Sequence, residues 1–544
     1  MTEHRVGRSE ARAVLAGCAA ASLAAIAWSW RHDALLNYGD AEAHLHIARR
    51  LIDSHRPGLM QLGSVWLPLP HLLLVPFVAV YSWWTSGFAG VIPSALAWLG
   101  SCWGIYRLAR QWLPIAPSAL ALAFFALNPN LIYMQTTAMT EPLFVCEMVW
   151  TALWLVEWRA SIEDPALTRR CNSLVWRIAL ILVAAVFTRY DGWIMSLIAW
   201  TAIAIALLRR GQLRSRTFWI ATFLVVAAPI VWFVYNSVVF GDWLDFARGP
   251  YSAKTIEIQT AAPGSGPPHP GWHNPWVALI FYLKVSEMDA TALAWGNILF
   301  VVGVLGTAWG WLIARRKAFS WSLILWLPVP FYAWSVAYGS VPIFLPVWWP
   351  HSYYNTRYGL ELLPALALGV GLAASFLLTA VREFKPKWVC IAIAVLFFLV
   401  AFNAVRVVRQ HPLCYVEGTK NAHARRPYER VLAAALRSAL ATRPGGTVLM
   451  DTSVYPQVVA LTGIPLRQTI NESDKEYYQA ALVEPARHAA LVLALEGDDI
   501  DRAVRTHPSG LQLVSRFSSP GQPSATLYAS DTSSVLVSPA PHER

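Results

Sequence analysis

Four polar segments of the chain carry residue types that could perform acid–base chemistry or bind an anion. A carboxylate can accept a proton from an attacking hydroxyl, which is worth roughly 10² to 10⁴ in rate. An arginine can bind a phosphate through forked donors and stabilise it as a leaving group. The carboxylates are Asp40, Glu42, Glu141 and Asp191, and the other candidates are His44, His71, Arg189, Arg357 and Tyr358.

Each of these residues also has a purely structural interpretation. Asp40 could cap a helix that begins at Ala41, a role that is compatible with catalysis. Glu141 precedes Pro142, as in a first helical turn, where the helix dipole favours an anion. Arg189 and Asp191 could pair with each other, and Arg357 and Tyr358 could be interfacial anchors. His44 and His46 diverge on a helix, so a shared metal site is not expected.

The composition indicates what kind of protein must position these groups. Of the 544 residues, 56% are hydrophobic and 14% are charged, against about 45–50% and about 25% in soluble domains. Twenty-eight tryptophans in a chain this apolar predict an α-helical polytopic membrane protein. The net charge of +11 comes from clusters between apolar runs, as the positive-inside rule predicts, rather than from a nucleic-acid surface. The six cysteines indicate neither a disulfide framework nor a metal site.

About eleven transmembrane helices are predicted. The segment 174–208 is interrupted at 188–191 and flanked by arginines on both sides, so it is interpreted as a hairpin of two spans. The proline-containing run 66–84 is interpreted as interfacial or re-entrant, because a crossing there would put the later basic clusters opposite the basic N-terminus. The other nine spans lie near 11–30, 88–108, 114–133, 140–158, 218–240, 291–313, 319–340, 358–380 and 388–405.

This topology places the N-terminus in the cytoplasm and the four polar segments at the opposite face. Residues 1–405 form the predicted catalytic membrane domain, with a first outer loop at 31–87 and a long outer loop at 241–290 that could cover the reacting groups. A small extracytoplasmic α/β domain is expected at 406–530, followed by a disordered tail at 531–544. Its predicted helices are 425–441, 455–462 and 474–483, and its apolar runs and strands are 447–450, 464–470, 489–495, 511–517 and 524–529.

The first loop resembles a known class of enzymes. Its acidic helix opening, Asp40-Ala41-Glu42-Ala43-His44-Leu45-His46-Ile47-Ala48-Arg49, is followed by the proline-rich segment 63–74. Together these are similar to the GT-C class of polyprenyl-phosphate-dependent glycosyltransferases, closest to the branch of protein O-mannosyltransferases and aminoarabinose transferases. Glu141 resembles a second acidic position of that branch, and the segment 355–364 resembles its late Arg-Tyr-to-Pro opening.

The resemblance implies that Asp40 is the base of a metal-independent, inverting transfer. Two departures from the branch affect other assignments: Ala41 separates the two acids, and Leu69 stands where a lysine often precedes the paired prolines. The phosphate contact is therefore assigned to Arg189, Arg357 or His71 as candidates. No cofactor is predicted, although the spacing of Asp40 and Glu42 leaves open a Mg²⁺ or Mn²⁺ ion, as in oligosaccharyltransferases of the class.

The predicted protein is an integral glycosyltransferase of the cell (inner) membrane. Its donor would be a polyprenyl-phosphate sugar, mannose or a related one, and its acceptor a hydroxyl on a protein, glycan or lipid outside the cytoplasm. The alternative is a transporter or flippase of a lipid-linked saccharide, but neither an internal repeat nor a midplane charge cluster is evident.

Overall fold

The computed structural model describes residues 6–260, 267–294, 296–314 and 319–531. The chain divides into two compact units: the first contains 1–32, 64–70 and 91–417, and the second contains 33–63, 71–90 and 418–544. The first outer loop is thus grouped mainly with the C-terminal domain, whereas the sequence assigned it to the membrane domain. The basic cluster 315–317 and all of the predicted disordered tail after Asp531 lie outside the described residues.

Long apolar helices dominate the first unit. A helix rises 1.5 Å per residue, so about 20 apolar residues cross a hydrocarbon core of about 30 Å. Eight helical segments among the described residues meet this requirement: Arg8–Arg31, Phe88–Ala109, Thr168–Thr188, Tyr190–Leu208, Arg216–Phe240, Phe319–Tyr338, Thr356–Phe384 and Pro386–Ala441, the last of which contains the helix Val389–Arg409.

Three further helices match the remaining predicted spans. Ile115–Ala126 is shorter and is followed by the helix Pro129–Met134, Glu141–Ser161 carries several charged residues, and Gly296–Ala314 is apolar. The predicted fold class, a polytopic α-helical membrane protein with a small C-terminal α/β domain, is confirmed. The other helices, α and 3₁₀, of the described residues before 413 are Gly39–Arg50, Leu59–Leu62, Pro68–Val78, Tyr81–Ser86, Pro165–Leu167, Asp245–Arg248, Ala253–Thr260 and Pro275–Ala290.

The run 66–84 folds as two short helices. The helix Pro68–Val78 has 11 residues, and Tyr81–Ser86 has 6. Eleven residues cover roughly 16 Å, about half of the hydrocarbon core. This length supports an interfacial or re-entrant segment.

The segment 168–208 is a helical hairpin, as predicted. Arg189 is the single extended residue between the two helices, with φ −150° and ψ 155°. The Ser196 hydroxyl donates a hydrogen bond to the Leu182 carbonyl at 3.1 Å, so the helices run antiparallel and pack closely. A Cβ atom at Gly192 would lie 2.2 Å from the Ala185 carbonyl oxygen, so this turn requires glycine. The hairpin therefore fixes the position of Arg189.

The second unit contains a five-stranded mixed sheet. Its strands are β1 (Val448–Met450), β2 (Thr469–Ile470), β3 (Leu491–Leu495), β4 (Leu511–Phe517) and β5 (Ala525–Ser530). The order is β2-β1-β3-β5-β4, with β1 parallel to β2 and β3, and β5 antiparallel to β3 and β4. The helices from 413 onward, α and 3₁₀, are Leu413–Ala441, Gln457–Thr462, Leu466–Gln468, Glu472–Asp474, Glu476–Val483, Pro485–His488 and Asp499–Thr506.

Two predictions about this domain need correction. Its first helix begins at Leu413 rather than at 425, because the polar stretch 417–426 after its first turn hides the helical periodicity. The helix Asp499–Thr506 was not predicted. It has only 8 residues, and its beginning depends on a cap that Asp498 makes by accepting a hydrogen bond from the Asp501 backbone N–H at 2.6 Å.

Asp451 directly after β1 makes a local turn. One of its carboxylate oxygens accepts hydrogen bonds from the Ser453 backbone N–H at 2.7 Å and from the Ser453 hydroxyl at 2.6 Å. These contacts are those of a turn residue.

Candidate functional site: two groups of ionisable residues

In the first unit, several helix ends contribute charged side chains to one buried group, here called the Arg189 cluster. Arg189 comes from the hairpin turn and Glu141 from the first turn of the helix Glu141–Ser161. Its members are Glu141, Arg189, Asp191, Tyr332, Arg357, Tyr358, Glu361 and Glu417.

Arg189 lies at the centre of the cluster. Its guanidinium nitrogens lie 3.3 Å from a Glu141 oxygen, 3.2 Å from an Asp191 oxygen and 3.2 Å from a Glu361 oxygen. Nη2 also donates to the Tyr332 hydroxyl at 2.8 Å, and that hydroxyl donates to Glu361 Oε1 at 2.7 Å. The predicted pairing of Arg189 with Asp191 is present, and two further carboxylates share the same guanidinium.

Arg357 connects the cluster to the helix Leu413–Ala441. Its Nε donates to Glu141 Oε1 at 2.9 Å, and its Nη1 donates to Glu417 Oε1 at 3.2 Å. Glu417 also accepts from the backbone N–H groups of Asn355 and Thr356, at 3.0 and 2.9 Å. Glu141 Oε1 is therefore shared by both arginines, while Glu141 Oε2 has no hydrogen-bond partner among the described residues.

Tyr358 contacts both arginines with its ring face. The Cζ atoms of Arg189 and Arg357 lie 5.0 and 5.2 Å from the ring centroid. The ring also stacks on Tyr332 at 5.0 Å. Such cation–π contacts contribute about 0.5–2 kcal/mol each. The alternative interpretation of Tyr358 as an interfacial anchor does not account for these contacts with the two arginines.

The cluster contains more acid than base. Two guanidinium groups face the carboxyl groups of Glu141, Asp191, Glu361 and Glu417, so the group would be net negative with all carboxyls ionised. The side chain of Arg189 is 15% exposed and that of Glu361 is 0% exposed. An incoming phosphate would have to compete with these carboxylates for the arginines, or arrive as they take up protons.

Sequence reasoning missed four residues at or near this cluster. Glu361 lies one turn after Arg357 and could have been found from that spacing, whereas Tyr332 lies in an apolar run without a signal. Glu417 lies beyond the predicted domain boundary. Glu147 is buried in the helix Glu141–Ser161 and accepts a hydrogen bond from Thr188 at 2.8 Å. A carboxyl group in a candidate span is costly and marks a functional position by default.

In the second unit, Asp40, Glu42 and His44 lie on the helix Gly39–Arg50, here called the Asp40 helix. The helix begins at Gly39 with Tyr38 as its N-cap, so the alternative in which Asp40 caps a helix from Ala41 is not what the structure has. Asp40 lies in the first turn, where the unpaired N–H groups favour negative charge, and it is half-buried.

Glu42 differs from Asp40 in its surroundings. It is 3% exposed, and its Oε2 accepts a hydrogen bond from Arg425 Nη1, which also donates to Glu429 Oε1 at 3.0 Å. Burial raises the pKa of the Glu42 carboxyl to about 8, although the Arg425 guanidinium opposes the shift. Glu42 is therefore mainly protonated at neutral pH. Asp40 and Glu42 point in directions roughly 200° apart around the helix, which disfavours a metal ion held by both.

Two histidines predicted separately lie together in the second unit. His44 Nδ1 and His71 Nε2 are 2.9 Å apart, and the rings are 3% and 0% exposed. One ring donates to the bare nitrogen of the other, so at most one of the two can be a cation. The pair is too enclosed for direct contact with a bulky phosphate in this arrangement. His46 is also buried, and burial together with Arg50 lowers the pKa of its ring to about 3.

The predicted residues thus form two groups. Glu141, Arg189, Asp191, Arg357 and Tyr358 belong to the Arg189 cluster of the first unit. Asp40, Glu42, His44 and His71 belong to the second unit.

Comparison with known proteins gives a structural likeness without a close sequence relative. No family model matches the chain, and no curated protein matches it. ArnT from Cupriavidus metallidurans bound to undecaprenyl phosphate aligns with a TM-score of 0.54 and 13% identity, covering 96% of this chain and 99% of ArnT. The apo state of that ArnT aligns with a TM-score of 0.53 and 14% identity, covering 94% of this chain and 98% of ArnT. An oligosaccharyltransferase from Archaeoglobus fulgidus, in complex with zinc and sulfate, aligns with a TM-score of 0.48 and 11% identity. The alignment covers 95% of this chain and 73% of the oligosaccharyltransferase. The chain therefore has the GT-C fold of ArnT over nearly its whole length.

Proposed function

We propose that this chain is an integral-membrane glycosyltransferase that moves a sugar from a polyprenyl-phosphate donor to a hydroxyl acceptor. The observation that carries the proposal is the fold shared with ArnT across 96% of this chain and 99% of that one. The solved ArnT holds undecaprenyl phosphate, a polyprenyl phosphate. Mannose or a related sugar is the donor sugar that the sequence resemblance implies.

An apolar groove in the first unit supports a lipid-linked donor. It has a volume of about 750 Å³ and lies between the helices Glu141–Ser161, Tyr190–Leu208 and Phe319–Tyr338. Val329 and Pro330 line it and lie within one helical turn of Tyr332 in the Arg189 cluster. A prenyl chain is favoured on such an apolar surface, and its phosphate needs cationic donors nearby.

The proposed reaction is a single displacement at the anomeric carbon of the sugar. The acceptor oxygen forms the new bond to that carbon, and the bond from the carbon to the phosphate oxygen breaks. The acceptor proton passes to Asp40, and the polyprenyl phosphate leaves with the bonding electrons. Asp40 suits the role of base better than Glu42, because Asp40 is half-buried whereas Glu42 is only 3% exposed.

Arg189 and Arg357 are the proposed contacts of the leaving phosphate. Both are now bound to Glu141 through one oxygen. Rotation of the Glu141 side chain away from the two arginines would free donors from both at once. Such an exchange replaces one buried anion by another, so neither guanidinium is left as an unpaired buried charge.

We further propose that the protein resides in the inner membrane with a cytoplasmic N-terminus and an extracytoplasmic C-terminal domain. The basic clusters at 169–177, 209–216 and 382–387 support this orientation. A reporter that is active only outside the cytoplasm is expected to function after residue 410 and to fail at 213. Activity at 213 would reverse the proposed orientation.

Reconstitution of the purified protein tests the activity directly. Liposomes containing the protein are supplied with polyprenyl phosphates carrying labelled mannose or a labelled pentose, together with a hydroxyl acceptor, with and without chelator. Transfer of label to the acceptor with one of the donors is the expected result. Movement of the donor between leaflets without any transfer would instead identify a flippase and overturn the proposal.

A further inference from the structure

In the second unit, the first helix of the C-terminal domain lies along the start of the Asp40 helix. Thr419 Oγ1 accepts a hydrogen bond from Asn37 Nδ2 at 3.4 Å, and Asn421 Oδ1 accepts from the Gly39 backbone N–H at 3.0 Å. Arg425 Nη1 donates a hydrogen bond to Glu42 Oε2. In these three pairs the second residue lies 382, 382 and 383 positions after the first. Because this separation is nearly constant, the two segments run in the same direction and in register.

These contacts surround Asp40 on both sides in the chain. The Gly39 N–H belongs to the first helical turn, where N–H groups have no intrahelical partner, and Asn421 supplies one. A Cβ atom at Gly39 would lie 3.4 Å from Asn421 Oδ1 and 3.5 Å from Arg425 Nε, so the segments are in close contact. The direction in which the helix begins, and with it the Asp40 side chain, therefore depends on residues 419–425.

We propose that Asn421 and Arg425 are positioning residues that hold Asp40 in its reactive orientation, which makes the C-terminal α/β domain a part of the transferase. This inference rests on the proposed function, because it takes Asp40 as the base. A base must be held within about 0.5 Å of its productive position, and a misplacement of about 1 Å can cost about 10²-fold in rate.

The same helix offers a matched control. Arg437 donates to the carbonyl oxygens of Leu461 and Thr462, both within the C-terminal domain. Its replacement by alanine removes an arginine from the helix Leu413–Ala441 without changing any of the three contacts to residues 37–42. It reports how much activity is lost through a weakened domain alone.

Steady-state transfer kinetics test the positioning role. We expect Asn421→Ala and Arg425→Ala to lower kcat by about 10- to 100-fold, with the donor KM changed by less than about 3-fold, because Asp40 acts on the acceptor proton. Arg425→Lys is expected to restore part of kcat. Arg437→Ala should keep kcat within about 2-fold of wild type, even if its Tm falls as much as that of Asn421→Ala or Arg425→Ala. A loss of kcat in the two variants no larger than in Arg437→Ala would overturn the inference.

Hydrogen exchange separates this inference from the proposed function. Peptides covering 37–50 should exchange faster in Asn421→Ala and Arg425→Ala than in wild type, and at the wild-type rate in Arg437→Ala. If wild-type protein transfers no sugar, the proposed function fails and this role fails with it. If transfer is present and both variants keep wild-type kcat and protection of 37–50, the positioning role alone is refuted.

Discussion

The Arg189 cluster and the Asp40 helix both place buried carboxyl groups against a guanidinium group, but they differ in which acidic group is accessible. In the cluster, one guanidinium contacts Glu141, Asp191 and Glu361, and Glu141 is shared with Arg357. On the Asp40 helix, Glu42 is enclosed with Arg425 while Asp40 is half-buried. Removing one partner of a buried ion pair leaves an uncompensated charge, so a buried arginine loses a carboxylate at little cost when another anion takes its place. The cluster is therefore suited to binding an ion, and Asp40 to accepting a proton.

The largest effect is expected at Asp40. Asp40→Asn keeps the size of the side chain but cannot accept the acceptor proton, so the transfer rate should fall by roughly 10² to 10⁴ while folding survives. Asp40→Glu should also be slow, because the added methylene displaces the carboxylate. The transfer rate and the Tm of both variants are measured together. Full activity of the Asn variant would remove Asp40 as base and direct attention to Glu141.

The next largest effect is expected at Arg189. Removing it leaves three carboxyl groups without their shared cation, and breaking a buried pair costs about 3–5 kcal/mol. Arg189→Ala should therefore lower both Tm and transfer, whereas Arg189→Lys should recover part of the stability but little transfer, since one ammonium cannot replace the planar fork. The test is thermal unfolding in detergent beside the transfer assay. A stable, active Arg189→Ala variant would show that the cluster is not an ion-binding centre.

The fold was more predictable from the sequence than the partners of the charged residues. Apolar runs and their flanking arginines predicted the hairpin at Arg189 because span length and basic flanks are local properties. The partners of Arg357 were not predictable, since Glu141 and Glu417 are 216 and 60 residues away. His44 and His71 were both chosen, but their contact across 27 residues depends on the packing of two short helices. The spacing of residues in the sequence identified which side chains could do chemistry. Tertiary contacts decide which of these side chains are accessible to a substrate.

A smaller effect is expected at Arg357. This arginine shares Glu141 with Arg189 and is anchored by Glu417. One charge-assisted hydrogen bond is worth about 1.5–3 kcal/mol, so Arg357→Ala should weaken donor binding by about 10- to 100-fold, with partial recovery in Arg357→Lys. Binding of a labelled polyprenyl phosphate in nanodiscs measures this. Unchanged donor affinity in Arg357→Ala and in the double variant with Arg189→Ala would remove both arginines from the phosphate site.

The smallest effect on transfer at neutral pH is expected at Glu42, two residues from Asp40 on the same helix. Because burial raises the pKa of the Glu42 carboxyl from 4.5 to about 8, Glu42 is already protonated at pH 7, and Glu42→Gln keeps a neutral group that can accept from Arg425. We expect its transfer rate to stay within about 3-fold of wild type, since no proton-accepting group is lost.

The stability of the Glu42→Gln variant should depend on pH in a defined direction. In the folded chain Glu42 binds a proton up to about pH 8, whereas in the unfolded chain it releases the proton near pH 4.5. The contribution of Glu42 to stability is therefore complete below pH 4.5 and falls as pH rises to about 8. Glutamine lacks this dependence, so the Tm of the variant minus that of wild type should rise between pH 5 and pH 8 and level off above. Glu429 shares Arg425 with Glu42, and its charge is one cause of the raised pKa of the Glu42 carboxyl, so the Tm difference reports on this coupled pair of carboxyls. A Tm difference that falls as pH rises would mean that Glu42 is ionised and stabilised by Arg425. A large loss of transfer in Glu42→Gln would move the role of base from Asp40 to Glu42.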